Sequence, residues 1–428
     1  MSSGSNLAIS VLVARMLPPV DAGVYFLAFS VAAALAVLAR GGLEKTVLRL
    51  VAEHRASKEQ HQIYSALVRV YAVSLVFVVL TATGTALLGP TVAEGVFELP
   101  RLAQIVPLVA WWVAYLAYEM LLAETFRGLD AIPLASIFGG AAARLLTVIG
   151  LVALSVQGEA PLEAVVGMTV VAGVAALVPG SIILASRALS LKGGGTTQVR
   201  TATVLGITAP LLVTNLAFFT SRNADLWILG AFRPAEELAI YAVAVRLVLL
   251  VGAALSIVDA VLPPLIAELT EPHQRDRLQN LARSTASVAG LPAAAVLLVF
   301  IVAGRPILEF TFGPFYAASY PILAILSFGQ CANVFAGSCG YVLIMTGHQG
   351  SLMKAALAGG ALSVLGGLLL AERFGALGVA TAAAGGVVFQ NLLILWMVRQ
   401  HCGIWTHVGW GPLTRAVARF ARTRRGSP

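Results

Sequence analysis

Residues 14–25 read A-R-M-L-P-P-V-D-A-G-V-Y, and residues 40–53 read R-G-G-L-E-K-T-V-L-R-L-V-A-E, with an apolar run between them. A Pro-rich turn thus feeds a membrane-length helix that ends in a basic segment. The plan recurs over Gly230 to Glu268 as G-A-F-R-P-A-E-E-L-A-I-Y, an apolar run, then L-P-P-L-I-A-E. Pro18, Asp21 and Tyr25 fall on Pro234, Glu237 and Tyr241 at a shift of 216. Val51-Ala52-Glu53 falls on Ile266-Ala267-Glu268 at a shift of 215. The shift is about half of the 428 residues. A period this long, in an apolar chain, predicts two homologous membrane halves rather than a solenoid of short units.

Composition points the same way. Hydrophobic residues make up 59% of the chain and charged residues 11%, which excludes an ordinary soluble domain. Apolar runs reach the ~20 residues a helix needs to cross a bilayer. Backbone polar groups in lipid must pair locally, so the spans are expected to be helices, and the alternating strands of a barrel are not seen. Cys331 and Cys339 share one apolar run and Cys402 lies beyond the last, which gives no disulfide framework. The first residues lack a basic region, so no cleavable signal peptide is expected.

Spans are read at 7–20, 22–43, 64–88, 103–125, 132–156, 163–186, 204–230, 238–262, 284–303, 319–345, 351–371 and 375–398, which makes the chain an all-α polytopic membrane protein of twelve helices. Segments after even-numbered spans, with the tail, hold 18 of the 28 basic residues, and segments after odd-numbered spans hold five. By the positive-inside rule both termini are cytoplasmic. The first span has no counterpart for about a dozen residues of the seventh, so it is expected to be short, or its start lies upstream. The expected units are an N-terminal six-helix lobe at 1–186, a basic Gly-rich cytoplasmic link at 187–203, a C-terminal lobe at 204–398 and a basic tail at 399–428. The tail spaces Arg415, Arg419 and Arg422 to suit an anionic membrane surface. Spans eleven and twelve are rich in Gly and Ala, which predicts a closely packed hairpin.

No P-loop, metal-ligand spacing or other soluble catalytic motif appears, so neither an enzyme nor a cofactor is expected. The scattered histidines read as surface residues. What stands out is charge at lipid depth, where each ionised side chain costs roughly 2.5–3.5 kcal/mol unless a cavity or a partner receives it. Thr208, Asn215 and Arg222 recur every seven residues on span seven, with Asp225 three further on. That is one polar stripe, expected either to wall a cavity or to close on itself as an Arg222–Asp225 pair. Arg144 lies mid-span with no charged neighbour on its own helix, so its partner must come from another helix, water or ligand. Arg246 lies in the outer half of span eight. Glu119, inside span four, is a candidate for carrying a proton or cation, or else pairs with an arginine. Asp259 precedes Pro263-Pro264 and reads as a kink-capping residue or a second coupling site. Arg40 and Glu44 read as an interfacial pair, and Pro107, Pro210 and Pro292 are expected to bend their spans.

The stretches L-P-P-V-D-A-G-V-Y and R-G-G-L-E-K-T-V-L-R-L-V-A-E resemble the opening of the polysaccharide transporters of the multidrug/oligosaccharidyl-lipid/polysaccharide superfamily, the O-antigen flippases among them. N-A-D-L-W-I-L-G-A-F-R-P-A-E-E-L-A-I-Y-A-V-A-V-R-L, from Asn223, resembles the start of that family's second half. F-G-P-F-Y-A-A-S-Y-P-I-L, from Phe312, resembles its stretch before the tenth helix. The resemblance implies two pseudo-symmetric six-helix lobes around a central cavity, the multidrug-exporter-like fold, working by alternating access. It also implies that a polyprenyl-diphosphate-linked sugar crosses the bacterial cytoplasmic membrane. Family cavities are often cationic, which fits Arg144, Arg222 and Arg246, with Asn215 and Asp225 beside them. Arg40 departs from the acidic residue common there, and twelve helices argue against the fourteen-helix lipid II flippases.

The implied partners are the lipid-linked oligosaccharide, membrane lipids, a proton or sodium counter-ion, and a polymerase or glycosyltransferases; no nucleic acid is expected. A cation-coupled multidrug exporter of the same superfamily is the alternative, and it calls for an acidic cavity. A membrane scaffold for a sugar-assembly complex is another. A membrane-bound glycosyltransferase is disfavoured, because no sizeable aqueous segment exists.

Overall fold

The computed structural model describes residues 2–57, 60–156, 158, 160–191, 201–269 and 272–409. The chain divides into two compact units, Met1–Ala239 and Ile240–Pro428.

The first unit holds α1 (Ser2–Met16), α2 (Pro19–Arg40), α3 (Leu43–Ala56), α4 (Gln60–Gly95) and α5 (Pro100–Gly128). A short α6 (Ile132–Ser136) passes through a π turn at Ile137–Ala141 into α7 (Ala142–Val156); α8 (Leu162–Ser190) and α9 (Thr201–Phe232) follow. α10 (Ala235–Ala267) leads into the second unit, which holds α11 (Arg275–Phe312), a 3-10 turn at Pro314–Ser319, α12 (Tyr320–Ala336), α13 (Cys339–Met345) and α14 (Gln349–Cys402).

Nine described helices are long and apolar enough to cross a membrane. One of them, the 54-residue α14, breaks at Gly375 (φ +57) and counts as two spans. α1, which is shorter, and the 32-residue α9 bring the number to the twelve read from the sequence. The chain is thus an all-helical, multi-pass membrane protein. Its outward faces carry exposed apolar side chains such as Leu80, Leu87, Val302 and Phe310, as a hydrocarbon surrounding requires.

The repeat is legible in the helix ends. α1 stops at Met16 and α2 opens at Pro19; α9 stops at Phe232 and α10 opens at Ala235, the same 216 residues on. In each copy the acid of the first turn meets an arginine. Asp21 lies 3.9 Å from Arg101, and Glu237 lies 2.6 Å from Arg233. That hydrogen bond and charge raise the Arg233 guanidinium above its ordinary value. The copies then diverge. Gly41 and Gly42 adopt positive φ (+61 and +86) and end α2, so α3 sets off in a new direction, whereas α10 runs on to Ala267. Only glycine takes two such residues in a row without strain.

In the first unit α5 is central, packed against α2, α3, α4 and α8. Its C-terminal end is clasped to α3: Lys45 of α3 reaches the buried Glu124 at 3.3 Å, Arg127 of α5 itself reaches it at 2.7 Å, and Arg55 of α3 bonds Asp130 at 2.9 Å. Gly128 lets the helices close, since a Cβ there would sit 3.0 Å from Val51.

In the second unit the two arms of α14 pack through small residues. A Cβ on Gly359 would meet Gln390 and the Gly386 carbonyl, and one on Gly386 would meet Ser363. This is the hairpin expected from the Gly/Ala composition. Past α14, residues 403–409 turn back as a strap. Thr406 Oγ1 donates to Ala336 O and Val408 N to Phe335 O, each at 2.9 Å. Two carbonyls that the end of α12 leaves open are thereby satisfied.

After α10 the described residues form the 3-10 turn Pro272–Gln274, and α11 opens at Arg275. Residues 192–200 of the link and 410–428 of the tail lie outside the described residues, so the expectations for them stay as stated. The compact division falls at Ala239, beyond the link where the lobe boundary is expected, because α9 packs on α2, α3 and α4.

Candidate functional site

The Gly41–Gly42 turn places Arg40, in the last turn of α2, beside Glu44, in the first turn of α3, with Arg40 Nε 3.9 Å from Glu44 Oε1. Glu44 is buried, and Asn215 of α9 donates from Nδ2 to its Oε1 at 2.8 Å. Two residues further along α3, Thr46 and Thr208 of α9 share a hydrogen bond of 3.0 Å. The polar stripe of α9 therefore meets α3 at two of its positions.

Glu119 of α5 lies within electrostatic reach of both Arg40 and Arg144, and the Tyr115 hydroxyl hydrogen-bonds it from one turn back on the same helix. Arg144 sits in the first turn of α7, just past the break in the fifth span. That break is made by Gly139 (ψ +34) and Gly140 (φ +103). A Cβ on Gly140 would run into both Arg144 Nη1 and Glu119 Oε1, and would sit 2.9 Å from Arg144 Cζ. Glycine at 140 thus serves twice: it takes the left-handed backbone, and it leaves room for the charged pair.

Four ionisable side chains from α2, α3, α5 and α7 converge in this way inside the first unit. Their formal charges, two arginines and two glutamates, sum to zero. The pairing is incomplete. Arg40 Nε, Glu44 Oε2, Glu119 Oε2 and Arg144 Nε are buried and lack a hydrogen-bond partner among the described residues. Each unmet group costs about 1–3 kcal/mol. Clusters of this kind are retained where water or a ligand completes them.

The sequence-predicted residues are placed as follows. Arg144 and Glu119 of α5 lie within electrostatic reach of each other across two helices, without a direct hydrogen bond or salt bridge among the described residues. Asn215 joins through Glu44. Asp225 Oδ1 accepts from the backbone of Leu226 at 2.9 Å. Arg222 lies on α9 and its side chain is outside the described residues. Arg246 is half-buried on α10 in the second unit. Asp259, on the same helix, accepts from Ser338 Oγ at the α12–α13 break. Sequence reading singled out neither Tyr115 nor Gly140, and took Arg40 and Glu44 as an interfacial pair; they do lie 3.9 Å apart. The available signals were the i,i+4 spacings of Tyr115–Glu119 and Gly140–Arg144.

Residues 3–270 match the family described as "Polysaccharide biosynthesis protein". No curated protein matches the chain. Among solved structures, an inward-facing multidrug resistance MATE family transporter of the MOP superfamily superposes with a TM-score of 0.77 at 12% identity, over 94% of this chain and 95% of that one. The lipid II flippase MurJ, in an inward closed conformation, gives 0.73 at 13% identity, over 93% and 86%. A MATE transporter from Vibrio cholerae gives 0.56 at 17% identity, over 94% and 98%. At such identities the likeness speaks for the fold. The chain belongs to the polysaccharide biosynthesis protein family and carries the MATE-like fold of the MOP-superfamily transporters.

Proposed function

We propose that the protein is a flippase that moves a polyprenyl-diphosphate-linked sugar across the bacterial cytoplasmic membrane by alternating access between two lobes, with both termini cytoplasmic. The family match over residues 3–270 carries this reading, and the fold shared with a lipid II flippase supports it.

The head group of such a lipid is anionic and strongly hydrated, so hydrocarbon excludes it. Fixed guanidinium groups replace that hydration, since each offers a fork of donors matched to phosphate oxygens. Arg144, Arg222 and Arg246 are the proposed phosphate contacts. Glu119 and Asp259 are the proposed positions for a coupling proton or sodium ion. The apolar tail stays in the bilayer. With the cell interior negative, outward movement of an anion is favoured by ~2.3 kcal/mol per charge per 100 mV.

A multidrug exporter is the second reading, and the buried carboxylates Glu44 and Glu119 favour it. Complementation of a flippase-deficient strain separates the two. The wild-type chain is expected to restore surface polysaccharide, and Arg144→Ala, Arg222→Ala and Arg246→Ala to lose it at normal membrane levels. Lysine at these positions keeps the charge without the fork, so partial export is expected. Full export by all three alanine variants would rule out the phosphate contacts.

A further inference from the structure

We propose that Glu119 is a built-in counter-ion, which holds Arg144 while the transporter is empty and gives it up to the incoming diphosphate. This rests on the phosphate-binding reading of Arg144.

Three observations lead here. First, the cluster is formally neutral as it stands. A diphosphate approaching Arg144 meets the carboxylates of Glu119 and Glu44 as well as the guanidiniums of Arg144 and Arg40. An anion gains there only if a carboxylate yields. Second, Arg144 and Glu119 attract each other without a direct hydrogen bond or salt bridge among the described residues, and Arg144 Nε and Glu119 Oε2 are unmet and buried. A pair that uses up all its donors and acceptors resists exchange, and this one retains both a donor and an acceptor. Third, Gly140 carries no side chain over the pair, and any Cβ there would collide with it. On that side both groups lie directly against the buried Gly140 backbone, at a helix break.

The surroundings also fit exchange. Glu119 is faced by Tyr115 from its own helix, by Arg144 of α7 and by Arg40 of α2, with Glu44 of α3 behind Arg40 and Tyr25 of α2 acting on Tyr115. Once Arg144 turns to phosphate, Tyr115 still holds the carboxyl. A carboxylate left beside a bound anion and short of one counter-charge is better neutral. Anion binding therefore takes up a proton at Glu119, which joins the coupling position to the substrate position in one exchange.

The test is binding of farnesyl diphosphate to the purified full chain, across a range of pH, for wild type, Glu119→Gln and Arg144→Ala. The amide keeps the shape of Glu119 but does not hold Arg144 as a counter-ion. Glu119→Gln is expected to bind about tenfold tighter than wild type near neutral pH. Its affinity should also depend less on pH, while the probe's own titration is common to all variants. Wild-type or weaker affinity in a folded Glu119→Gln overturns the proposal. If Arg144→Ala loses binding in that case, the phosphate reading survives and only the counter-ion role fails. If Arg144→Ala binds as wild type does, the phosphate reading itself fails. A measurement on the wild type alone covers a variant that does not fold: binding heats in buffers of different ionisation enthalpy should reveal proton uptake, and no uptake overturns the proposal.

Discussion

Gly140→Ala is the sharpest probe of the charged cluster. An alanine at φ +103 is strained, and such backbone costs about 1–3 kcal/mol. The new Cβ would also meet Arg144 Nη1 and Glu119 Oε1. Pushing these apart leaves buried charged atoms further from a partner, a loss of about 1–3 kcal/mol. The sum is about 2–6 kcal/mol, enough to matter against ordinary folding stabilities. Two controls separate the contributions. Gly158 has a similar φ of +108 with no atom within 4 Å of a new Cβ, so Gly158→Ala reports strain alone. Gly139→Ala has ordinary φ and meets only Ala123 Cβ, at 3.0 Å. The assay is thermal unfolding of purified protein in detergent, beside export in cells. Gly140→Ala should melt below both controls and lose export. A Gly140→Ala protein with the stability and export of Gly158→Ala would refute the convergence of Arg144 and Glu119 at that point.

Other substitutions test the frame. Glu124→Ala leaves Lys45 and Arg127 without their shared carboxylate; a loss of about 1–3 kcal/mol is expected in thermal unfolding. Thr406→Val removes the donor to Ala336 O and should lower stability by about 0.5–1.5 kcal/mol, with earlier proteolysis of the C-terminal strap. Gly386→Leu drives a side chain into Ser363 and the Gly359 carbonyl. It should separate the arms of α14, seen as loss of a monodisperse peak in size-exclusion chromatography.

The twelve spans were legible because lipid leaves the backbone few choices, so length and hydropathy nearly determine them. The repeat was legible because a turn chemistry, Pro then acid then Tyr, was copied with its helix register intact. The breaks were less so. Prolines were expected to bend the spans, and Pro107 and Pro292 do lie inside α5 and α11. The non-helical backbone falls instead at Gly139–Gly140, Gly337 and Gly375. A proline removes one donor that neighbours can replace, while a glycine at positive φ turns the chain. The heptad spacing of Thr208 and Asn215 located the stripe, but not what it meets. Glu44 and Thr46 reach it only because two glycines swing α3 across. Arg144 was marked by its cost at lipid depth, and Glu119 with it. That they belong together depends on how α5 and the broken fifth span cross, which no local pattern encodes.

The most direct test of the central claim is translocation in proteoliposomes. The purified protein is reconstituted with a lipid-linked oligosaccharide labelled in one leaflet, and a glycosidase outside reports its arrival. Transfer should exceed that of protein-free liposomes, fall in Arg144→Ala, and rise when the membrane potential favours anion movement toward the glycosidase. Transfer no faster than in protein-free liposomes, with cationic dye carried instead, would contradict the flippase account and establish the multidrug reading.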